Sequence, residues 1–418
     1  MTLSRSNLRI DADRLWASIH ETAKIGGTPK GGVRRLTLSE EDRQVRDWFR
    51  SACEAAGCTV TVDELGNMFA LRPGTDATQA PLGIGSHLDT QPTGGKFDGI
   101  LGTLAALEVV RTLNDAGIET KAPICVTNWT NEEGSRFSPA MMGSAAFARD
   151  IAVDTVLERT DAEGVSVGAA LDAIGYRGPL AVGSQPLGAF LELHIEQGPI
   201  LEAEGKTIGV VEHGQGIIWY DGRITGFQSH TGSTPMHLRK DALAALSEIV
   251  LAIEQLAITH GPNAVGSVGE AVIGMPSRNV IPGDITFSAE FRTVDAAILE
   301  TLHAALQEKV REIAGRRRVE IALDLIWRKE PTHFDPAIIN AVRAAADGLG
   351  LSHRPMVSGA GHDAFHMATL MPTAMVFVPC KDGLSHNELE DATKDDCVAG
   401  ANVLLHAVLA LAGGAARA

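Results

Sequence analysis

The first half of the chain alternates short apolar runs with segments in which apolar residues recur at helical spacing. Strands are predicted for the apolar runs at residues 82–86, 123–129 and 190–195. Helices are predicted between them at residues 99–116 and 141–148, where apolar side chains return every three or four positions. Alternation of strands and helices is typical of an α/β domain with a mainly parallel sheet.

From about residue 214 the order of predicted elements changes. A strand, a helix, two strands, a helix and a strand follow one another at residues 217–226, 241–256, 266–275, 283–292, 296–314 and 319–328. This β-α-β-β-α-β order is that of an α+β, ferredoxin-like unit. The earlier rhythm then resumes with a helix at 336–349, a strand at 373–378 and a helix at 395–411.

We therefore predict two domains. The first is an α/β domain formed by residues 1–213 and 331–418, and the second is an α+β domain inserted at residues 214–330. Because a chain of 418 residues is long enough for two or three hydrophobic cores, this division agrees with the length.

The net charge narrows the class of partners. The chain carries 36 Lys and Arg residues against 52 Asp and Glu residues, a formal net charge of −16. This balance argues against binding to nucleic acid or to an anionic membrane. The apolar segment at 398–412 is too short and too polar to span a membrane. With no secretory signal predicted and five cysteines lacking metal-type spacing, we expect a reducing, cytoplasmic location.

Several short polar clusters carry the candidate chemistry. They follow predicted strands or open helices, at residues 85–90, 94–99, 130–134, 193–198 and 384–388. Ligands of α/β proteins usually bind at such strand ends. The clusters offer histidines and carboxylates, which are suitable ligands for a divalent metal. Because five candidate ligands exceed the needs of one tetrahedral site, we expect two metals that share a carboxylate.

Each cluster also has an interpretation that needs no metal. His87 alone is more often a hydrogen-bonded residue than a ligand. Glu132 and Glu133 can begin a helix, where carboxylates favour the helix dipole, and Asp98 can cap the helix that follows Gly99. Since these clusters recur at successive strand ends, together they favour the metal site.

The spacing within two clusters predicts further roles. His87 and Asp89 lie on the same side of an extended chain, so the Asp89 carboxylate can accept the second imidazole N–H of His87. The adjacent Glu132 and Glu133 point in different directions, so one can bind metal while the other acts on a water as the general base.

At this point a family resemblance becomes specific. The chain resembles the hydantoinase/carbamoylase group of the M20 metallopeptidase-like amidohydrolases in the strings Gly-Ser-His87-Leu-Asp89-Thr, Phe-Asp98-Gly, Asn-Glu132-Glu133-Gly-Ser-Arg136-Phe, Leu-His194-Ile-Glu-Gln197-Gly and Ser-His386-Asn-Glu. The group includes N-carbamoyl-L-amino acid hydrolases, β-ureidopropionases and allantoate amidohydrolases. The resemblance implies a catalytic α/β domain that binds two divalent metals, preferably zinc but also manganese, cobalt or nickel, and a smaller lid domain that forms a homodimer.

The resemblance also implies a role for each motif residue. One metal is expected to bind His87, Asp98 and His194, and the other is expected to bind Asp98, Glu133 and His386, with Asp98 bridging. Glu132 is implied as the general base and Asp89 as the residue that orients His87. Ordinary M20 peptidases resemble this pattern but carry a carboxylate at the position of His194, so His194 favours the carbamoylase group.

In the lid, the resemblance implies three more site residues. His230 is similar to the family histidine that crosses from the partner subunit and steadies the reacting carbonyl. Asn279 and Arg292 are similar to the contacts for the substrate carboxylate, and Gln197 is a candidate for binding the ureido group. The alternative for Arg292 is a surface ion pair with Asp295 or Glu290. The chain departs from the family around His230, where Ser-His-Thr-Gly-Ser-Thr-Pro-Met replaces the common Ala-His-Ala-Gly-Pro-Thr-Pro-Met.

The activity that this resemblance implies is hydrolysis of the ureido C–N bond. The substrates are N-carbamoyl-L-α-amino acids or N-carbamoyl-β-alanine, and the products are the amino acid, carbon dioxide and ammonia. The alternatives are allantoate amidohydrolase, an M20 dipeptidase or deacylase, and a non-catalytic metal-binding scaffold of the same fold.

Overall fold

The structure, a computed structural model, describes residues 7–413 and 415–416 and divides into two units. Unit 1 is formed by the chain up to Glu212 and again from His333, and unit 2 is the segment His213–Thr332. The predicted insertion, residues 214–330, lies within that segment. All five cysteines are free and buried.

The secondary structure follows the predicted rhythm. Within residues 7–413 the α-helices are, in chain order, α1 (Ala12–Thr22), α2 (Glu40–Ala55), α3 (Ile100–Asp115), α4 (Met142–Phe147), α5 (Val153–Glu158), α6 (Val167–Ile174), α7 (Ile200–Glu204), α8 (Ala242–Thr259), α9 (Ala296–Arg317), α10 (Pro336–Leu349), α11 (Asp363–Met367) and α12 (Lys394–Leu411). The helix predicted at 336–349 is found at those residues.

The strands are more numerous than the sequence pattern predicts, but the predicted ones lie within about two residues of their expected bounds. In the described part of the chain they are β1 (Thr59–Val62), β2 (Met68–Arg72), β3 (Leu82–His87), β4 (Ile118–Glu119), β5 (Ile124–Trp129), β6 (Ala189–Ile195), β7 (Ile208–Gly214), β8 (Gly216–Thr225), β9 (Ser229–His230), β10 (Val265–Ile273), β11 (Val280–Ile281), β12 (Asp284–Thr293), β13 (Glu320–Lys329), β14 (Thr332–His333), β15 (His353–Ser358), β16 (Thr373–Val378) and β17 (Ala415–Ala416).

The large sheet of unit 1 has a parallel centre and antiparallel edges. Its order is β1-β2-β5-β3-β6-β16-β7-β14, with β15 paired to β7. The four central strands β5, β3, β6 and β16 run parallel, whereas β1, β2 and β7 join antiparallel. Every residue of β3, β5 and β16 is buried, as expected for strands covered on both faces. The predicted α/β fold with a mainly parallel central sheet is confirmed, and the carboxyl ends of the four strands share one edge.

Unit 2 contains a four-stranded antiparallel sheet with two helices. The strand order is β10-β12-β8-β13, and buried and exposed residues alternate along β8. One face of the sheet packs in a core with α8 and α9 through residues such as Tyr220, Ile249 and Phe291. The chain order of these elements is the β-α-β-β-α-β order of a ferredoxin-like unit.

Helix α8 has one buried and one exposed apolar face. Among the described helices, it alone is long and apolar enough to cross a membrane. Its residues Leu246, Ile249 and Ile253 are buried in the core of unit 2, as in a core helix of a globular domain. On the outer face, Leu251 is 62% exposed and Ile258 is 67% exposed.

Candidate metal centre

The polar clusters of unit 1 meet at the carboxyl edge of the parallel strands. His87 is the last residue of β3, and the chain reaches Glu132 and Glu133 just after β5. The register pairs His87 with Trp129, at the end of β5, and pairs His194 with Phe377, near the end of β16. The loop after β16 then carries His386 to the same edge.

Asp98 lies at the centre of the candidate ligands. Its Oδ1 is 3.2 Å from His194 Nε2 and 3.6 Å from His87 Nε2. Its Oδ2 is 3.5 Å from His386 Nε2, which lies 3.4 Å from Glu133 Oε2. Two groups of three ligand atoms therefore share one carboxylate. The structure thus brings together all five residues that the sequence predicts as ligands.

The two buried histidines direct an unprotonated Nε2 toward the site, and that of His194 also accepts the Gly99 N–H at 3.1 Å. His87 Nδ1 lies 2.9 Å from the Asp89 carbonyl oxygen, and His194 Nδ1 lies 2.9 Å from the Ile195 carbonyl oxygen. Since a carbonyl only accepts, the proton of each neutral ring is on Nδ1. Backbone carbonyls commonly fix metal-binding histidines in this way.

The contact of Asp89 differs from the predicted one. Its Oδ1 is 3.8 Å from His87 Nδ1, which is too far for a hydrogen bond. The backbone carbonyl oxygen of Asp89 accepts the Nδ1 proton of His87 instead. The carboxylate instead accepts the backbone N–H groups of Glu132 and Glu133, each at 3.3 Å. The prediction that the Asp89 carboxylate accepts the imidazole N–H is therefore wrong, and this carboxylate anchors the glutamate pair.

The buried ionisable groups around Asp98 shift one another's pKa values. Burial favours the neutral ring of His87, but the carboxylates of Glu132 and Asp98 hold its pKa well above the usual value. Burial also opposes ionisation of Asp98, yet the neighbouring imidazole rings of His194 and His87 hold its pKa well below the usual value. Burial is the largest cause of the raised pKa of Glu132 and of Glu133. A cation bound among these carboxylates would favour their ionised forms.

The donor set fits a divalent metal. His87 Nε2 is buried and has no hydrogen-bond partner among the described residues, although Glu132 Oε2 lies only 3.3 Å away. A buried polar atom without a partner needs an explanation, and a metal ion bound at His87 Nε2 would supply one. Imidazole and carboxylate ligands suit zinc, manganese, cobalt and nickel.

The backbone around the site is locally strained. Asn131, Gln197 and His386 have φ angles of 58°, 55° and 53°, in the left-handed region that non-glycine residues seldom adopt. Such residues cluster at functional sites, where the surrounding structure holds them. Gln197 uses this conformation to donate from Nε2 to Asp98 Oδ2 at 2.8 Å, so its amide contacts the shared carboxylate directly.

Three buried residues near the ligands were not predicted as site residues. Glu390 and Glu192 have exposed fractions of 2% and 0%, and Glu192 and His362 form a third group of possible ligand atoms with His194. Glu192 accepts hydrogen bonds from Ser86 Oγ at 2.7 Å and from the Ala364 N–H at 3.0 Å. Its position two residues before His194 in a buried strand is a signal that could have indicated it.

Unit 2 brings two of its three predicted site residues together. His230 on β9 pairs with Val280 on β11, and the Thr231 N–H donates to the Asn279 carbonyl at 3.1 Å. His230 Nδ1 accepts N–H bonds from Gly232 and Ser233, at 3.1 and 3.2 Å. The proton of the neutral ring is therefore on Nε2, which makes that atom a hydrogen-bond donor.

Arg292 lies at the other end of the unit 2 sheet. The register pairs Asp284 with Thr225 and Arg292 with Ile217, which places Arg292 roughly 27 Å along β12 from the end that leads into β9 and β11. Arg292 donates to both oxygens of Glu290, at 3.1 and 2.9 Å. The ion pair considered as an alternative is thus present.

Gly99 leaves room for the His87 ring. It directly precedes α3 with a φ of 69°, and a Cβ at this position would lie 2.3 Å from His87 Nε2. The Asp98 side chain makes no cap bond to α3, so the structure excludes the helix-cap interpretation.

We expect the Gly99→Ala variant to bind zinc about tenfold more weakly than wild type, because the new methyl group displaces His87. Gly117→Ala is the matched control, since Gly117 has a φ of 62° but nothing within 4 Å of an added Cβ. Both variants should lose about 1 kcal/mol of unfolding free energy from backbone strain. Equal zinc affinity in the two variants, measured by equilibrium dialysis, would contradict the expected displacement.

The comparisons with known proteins agree on one family. The model of peptidase family M20/M25/M40 matches residues 83–410. An N-carbamoyl-L-amino-acid amidohydrolase of Rhizobium meliloti is 49% identical over 409 residues, which cover 98% of each chain. A hydantoinase/carbamoylase family amidase of Burkholderia multivorans has a solved structure that matches with a TM-score of 0.95 and 52% identity, covering 97% of this chain and 98% of that one. A ureidoglycolate hydrolase of Arabidopsis thaliana is 32% identical, covering 96% of this chain and 86% of that protein.

Proposed function

Because this chain belongs to the peptidase M20 family, in its hydantoinase/carbamoylase group, and is a hydrolase of amide C–N bonds, we propose that it hydrolyses N-carbamoyl-L-amino acids. The products are the L-amino acid, carbon dioxide and ammonia. The observation that carries this proposal is the pair of ligand groups that share Asp98, with Glu132 beside them. The N-carbamoyl-L-amino-acid amidohydrolase that is 49% identical supports the substrate class.

The proposed mechanism uses Glu132 as a proton shuttle. Two divalent cations, preferably zinc, would be held by His87, Asp98 and His194 and by Asp98, Glu133 and His386, and would supply Lewis acidity. Glu132 takes a proton from the attacking water, which adds to the ureido carbonyl. Glu132 then returns the proton to the amino acid nitrogen as its bond to the carbonyl carbon breaks. The released carbamate decomposes to carbon dioxide and ammonia.

Other residues hold the substrate in this proposal. Gln197 Oε1 is buried without a hydrogen-bond partner among the described residues, so it can accept an N–H of the ureido group. Arg292 has the forked guanidinium that suits a carboxylate. His230 donates its Nε2 proton to the carbonyl oxygen as negative charge develops there, and Asn279 adds its side-chain amide beside it.

We propose that the active protein is a homodimer in which His230 and Asn279 serve the partner's site. A small amino acid derivative cannot span the roughly 27 Å that separate Arg292 from the other end of the sheet. One chain's Arg292 and His230 therefore act on different substrate molecules. The exposed apolar side chains of Leu251 and Ile258 on α8, and of Val272 on the edge strand β10, provide surface for the dimer.

Complementation between two inactive variants tests this arrangement. Random mixing of Glu132→Gln with His230→Ala subunits should restore about a quarter of wild-type specific activity, because half of the dimers are mixed and each has one intact site. Mixing Glu132→Gln with Asp98→Asn is the control and should restore none, since both changes lie in unit 1. Activity no higher than that of either variant alone would show that His230 does not act across the dimer.

A substrate panel tests the proposed activity. The holoenzyme is assayed on N-carbamoyl-L- and D-amino acids, N-carbamoyl-β-alanine, allantoate, ureidoglycolate and a dipeptide. We expect kcat/KM for an N-carbamoyl-L-amino acid to exceed that for the dipeptide by at least about a hundredfold. Removal of metal with a chelator should abolish activity, and zinc or manganese should restore it. A preference for allantoate or ureidoglycolate would assign the chain to those hydrolases instead.

We also propose a cytoplasmic location. The five cysteines are free thiols buried in the fold, as in proteins of a reducing compartment.

A further inference from the structure

Glu390 lies in the segment between β16 and α12, close to Asp98, whose carboxylate the two ligand groups share. It is 2% exposed, and its Oε1 accepts the backbone N–H groups of Phe97 and Asp98, both at 3.0 Å. These two peptides lead directly into Gly99 and the start of α3. The backbone position of Asp98 is therefore held by one oxygen of a residue that lies far away in the chain.

The second oxygen of Glu390 acts on the side chain of Asp98 through a serine. Ser385 Oγ is 3.1 Å from Glu390 Oε2 and 2.6 Å from Asp98 Oδ2. Asp98 Oδ2 is also the oxygen that faces His386. Glu390 thus contacts both the peptide and the hydroxyl group that determine where the two oxygens of Asp98 lie.

Glu390 also closes the turn that presents His386. Its N–H donates to the Asn387 carbonyl at 3.0 Å, immediately after His386 with its positive φ. The packing leaves the carboxylate little freedom, since a Cβ added at Gly95 would lie 2.1 Å from Glu390 Oε1. Burying the Glu390 carboxylate beside that of Asp98 costs free energy, so its presence there calls for a functional explanation.

We propose that Glu390 is a positioning residue that sets the spacing between Asp98 and His386 for two divalent metals. This inference rests on the binuclear site of the proposed function. Among the described residues, Glu390 belongs to none of the groups of possible ligand atoms. It acts through the Asp98 peptide, the Ser385 hydroxyl and the turn at Asn387.

Zinc binding to the full-length metal-free protein tests the proposal. Bound zinc is measured by equilibrium dialysis against graded chelator for wild type, Glu390→Ala, Glu390→Gln and Asp335→Ala. Asp335 is the matched control because its carboxylate also accepts two backbone N–H groups, at the start of α10. We expect Glu390→Ala to bind the second zinc, the one assigned to Asp98, Glu133 and His386, at least about tenfold more weakly than wild type. Glu390→Gln should stay within about threefold, since its amide oxygen keeps both backbone hydrogen bonds.

The results separate positioning from general destabilisation. Selective loss of the second zinc in Glu390→Ala, with rescue in Glu390→Gln and normal binding in Asp335→Ala, would support the proposal. Wild-type affinity for both zinc ions in Glu390→Ala would overturn it, and so would equal weakening in Asp335→Ala. Because zinc binding is measured without substrate, a wild-type protein that binds two zinc ions but hydrolyses no N-carbamoyl amino acid would refute only the proposed function.

Discussion

Replacing Glu132 with glutamine is expected to lower kcat on an N-carbamoyl-L-amino acid by about a thousandfold while leaving bound metal unchanged. The amide has the same shape, but it cannot take a proton from water and return it to the leaving nitrogen, a role worth about 10² to 10⁴ in rate. The proposed ligands Glu133, His386 and Asp98 are untouched. The measurement is kcat together with metal content determined on the same sample.

Glu196→Gln is the matched control for this change. Glu196 is a largely buried carboxylate near the end of β6, and it accepts the backbone N–H groups of Ile200 and Leu201 at the start of α7. Its amide keeps one acceptor oxygen, so turnover should stay close to wild type. Full metal occupancy with near-wild-type turnover in Glu132→Gln would exclude Glu132 as the general base.

The Asp98→Asn variant should lose both metals and with them at least about a thousandfold in activity. Asp98 is the residue common to the two ligand groups, with Oδ1 toward His87 and His194 and Oδ2 toward His386. An amide offers one acceptor oxygen, so it cannot complete both groups. Metal analysis after gel filtration should find less than one zinc ion per chain.

His386→Ala is the companion variant that distinguishes the loss of one metal from the loss of both. His386 belongs to one ligand group, so its loss should leave the group of His87, Asp98 and His194 intact, with one zinc ion bound. Two zinc ions retained in Asp98→Asn, or the same stoichiometry in both variants, would contradict a shared carboxylate.

The parts of the site that the sequence predicts follow from local rules. His87 and His194 stand at or next to the ends of buried apolar strands, Glu133 follows shortly after β5, and neighbouring parallel strands bring their ends together. The unit 2 elements follow from periodicity in the same way. A motif beside a strand end therefore carries enough information to place its side chain near the others.

The rest depends on contacts between distant segments. Glu390 accepts its hydrogen bonds from residues about three hundred positions earlier, and no local pattern encodes such a pairing. Asn279 and Arg292 resemble partners in one substrate contact, but strand register places Arg292 far from the end of the sheet that leads to Asn279. For Asp89, the choice between carbonyl and carboxylate as the acceptor for His87 depends on backbone torsion angles that spacing does not specify.

Under the proposed mechanism, the anchoring of Glu132 and Glu133 by one carboxylate would link the identity of the metal to the rate of proton transfer. The Asp89 carboxylate accepts both peptide N–H groups at the same distance, so a shift of one glutamate is coupled to a shift of the other. If Glu133 binds metal as proposed, a cation of larger ionic radius would push Glu133 outward, and the shared anchor would carry that displacement to Glu132. Differences in turnover between the zinc and manganese forms would then contain a geometric part, set by how far the base moves from its water, as well as the difference in Lewis acidity.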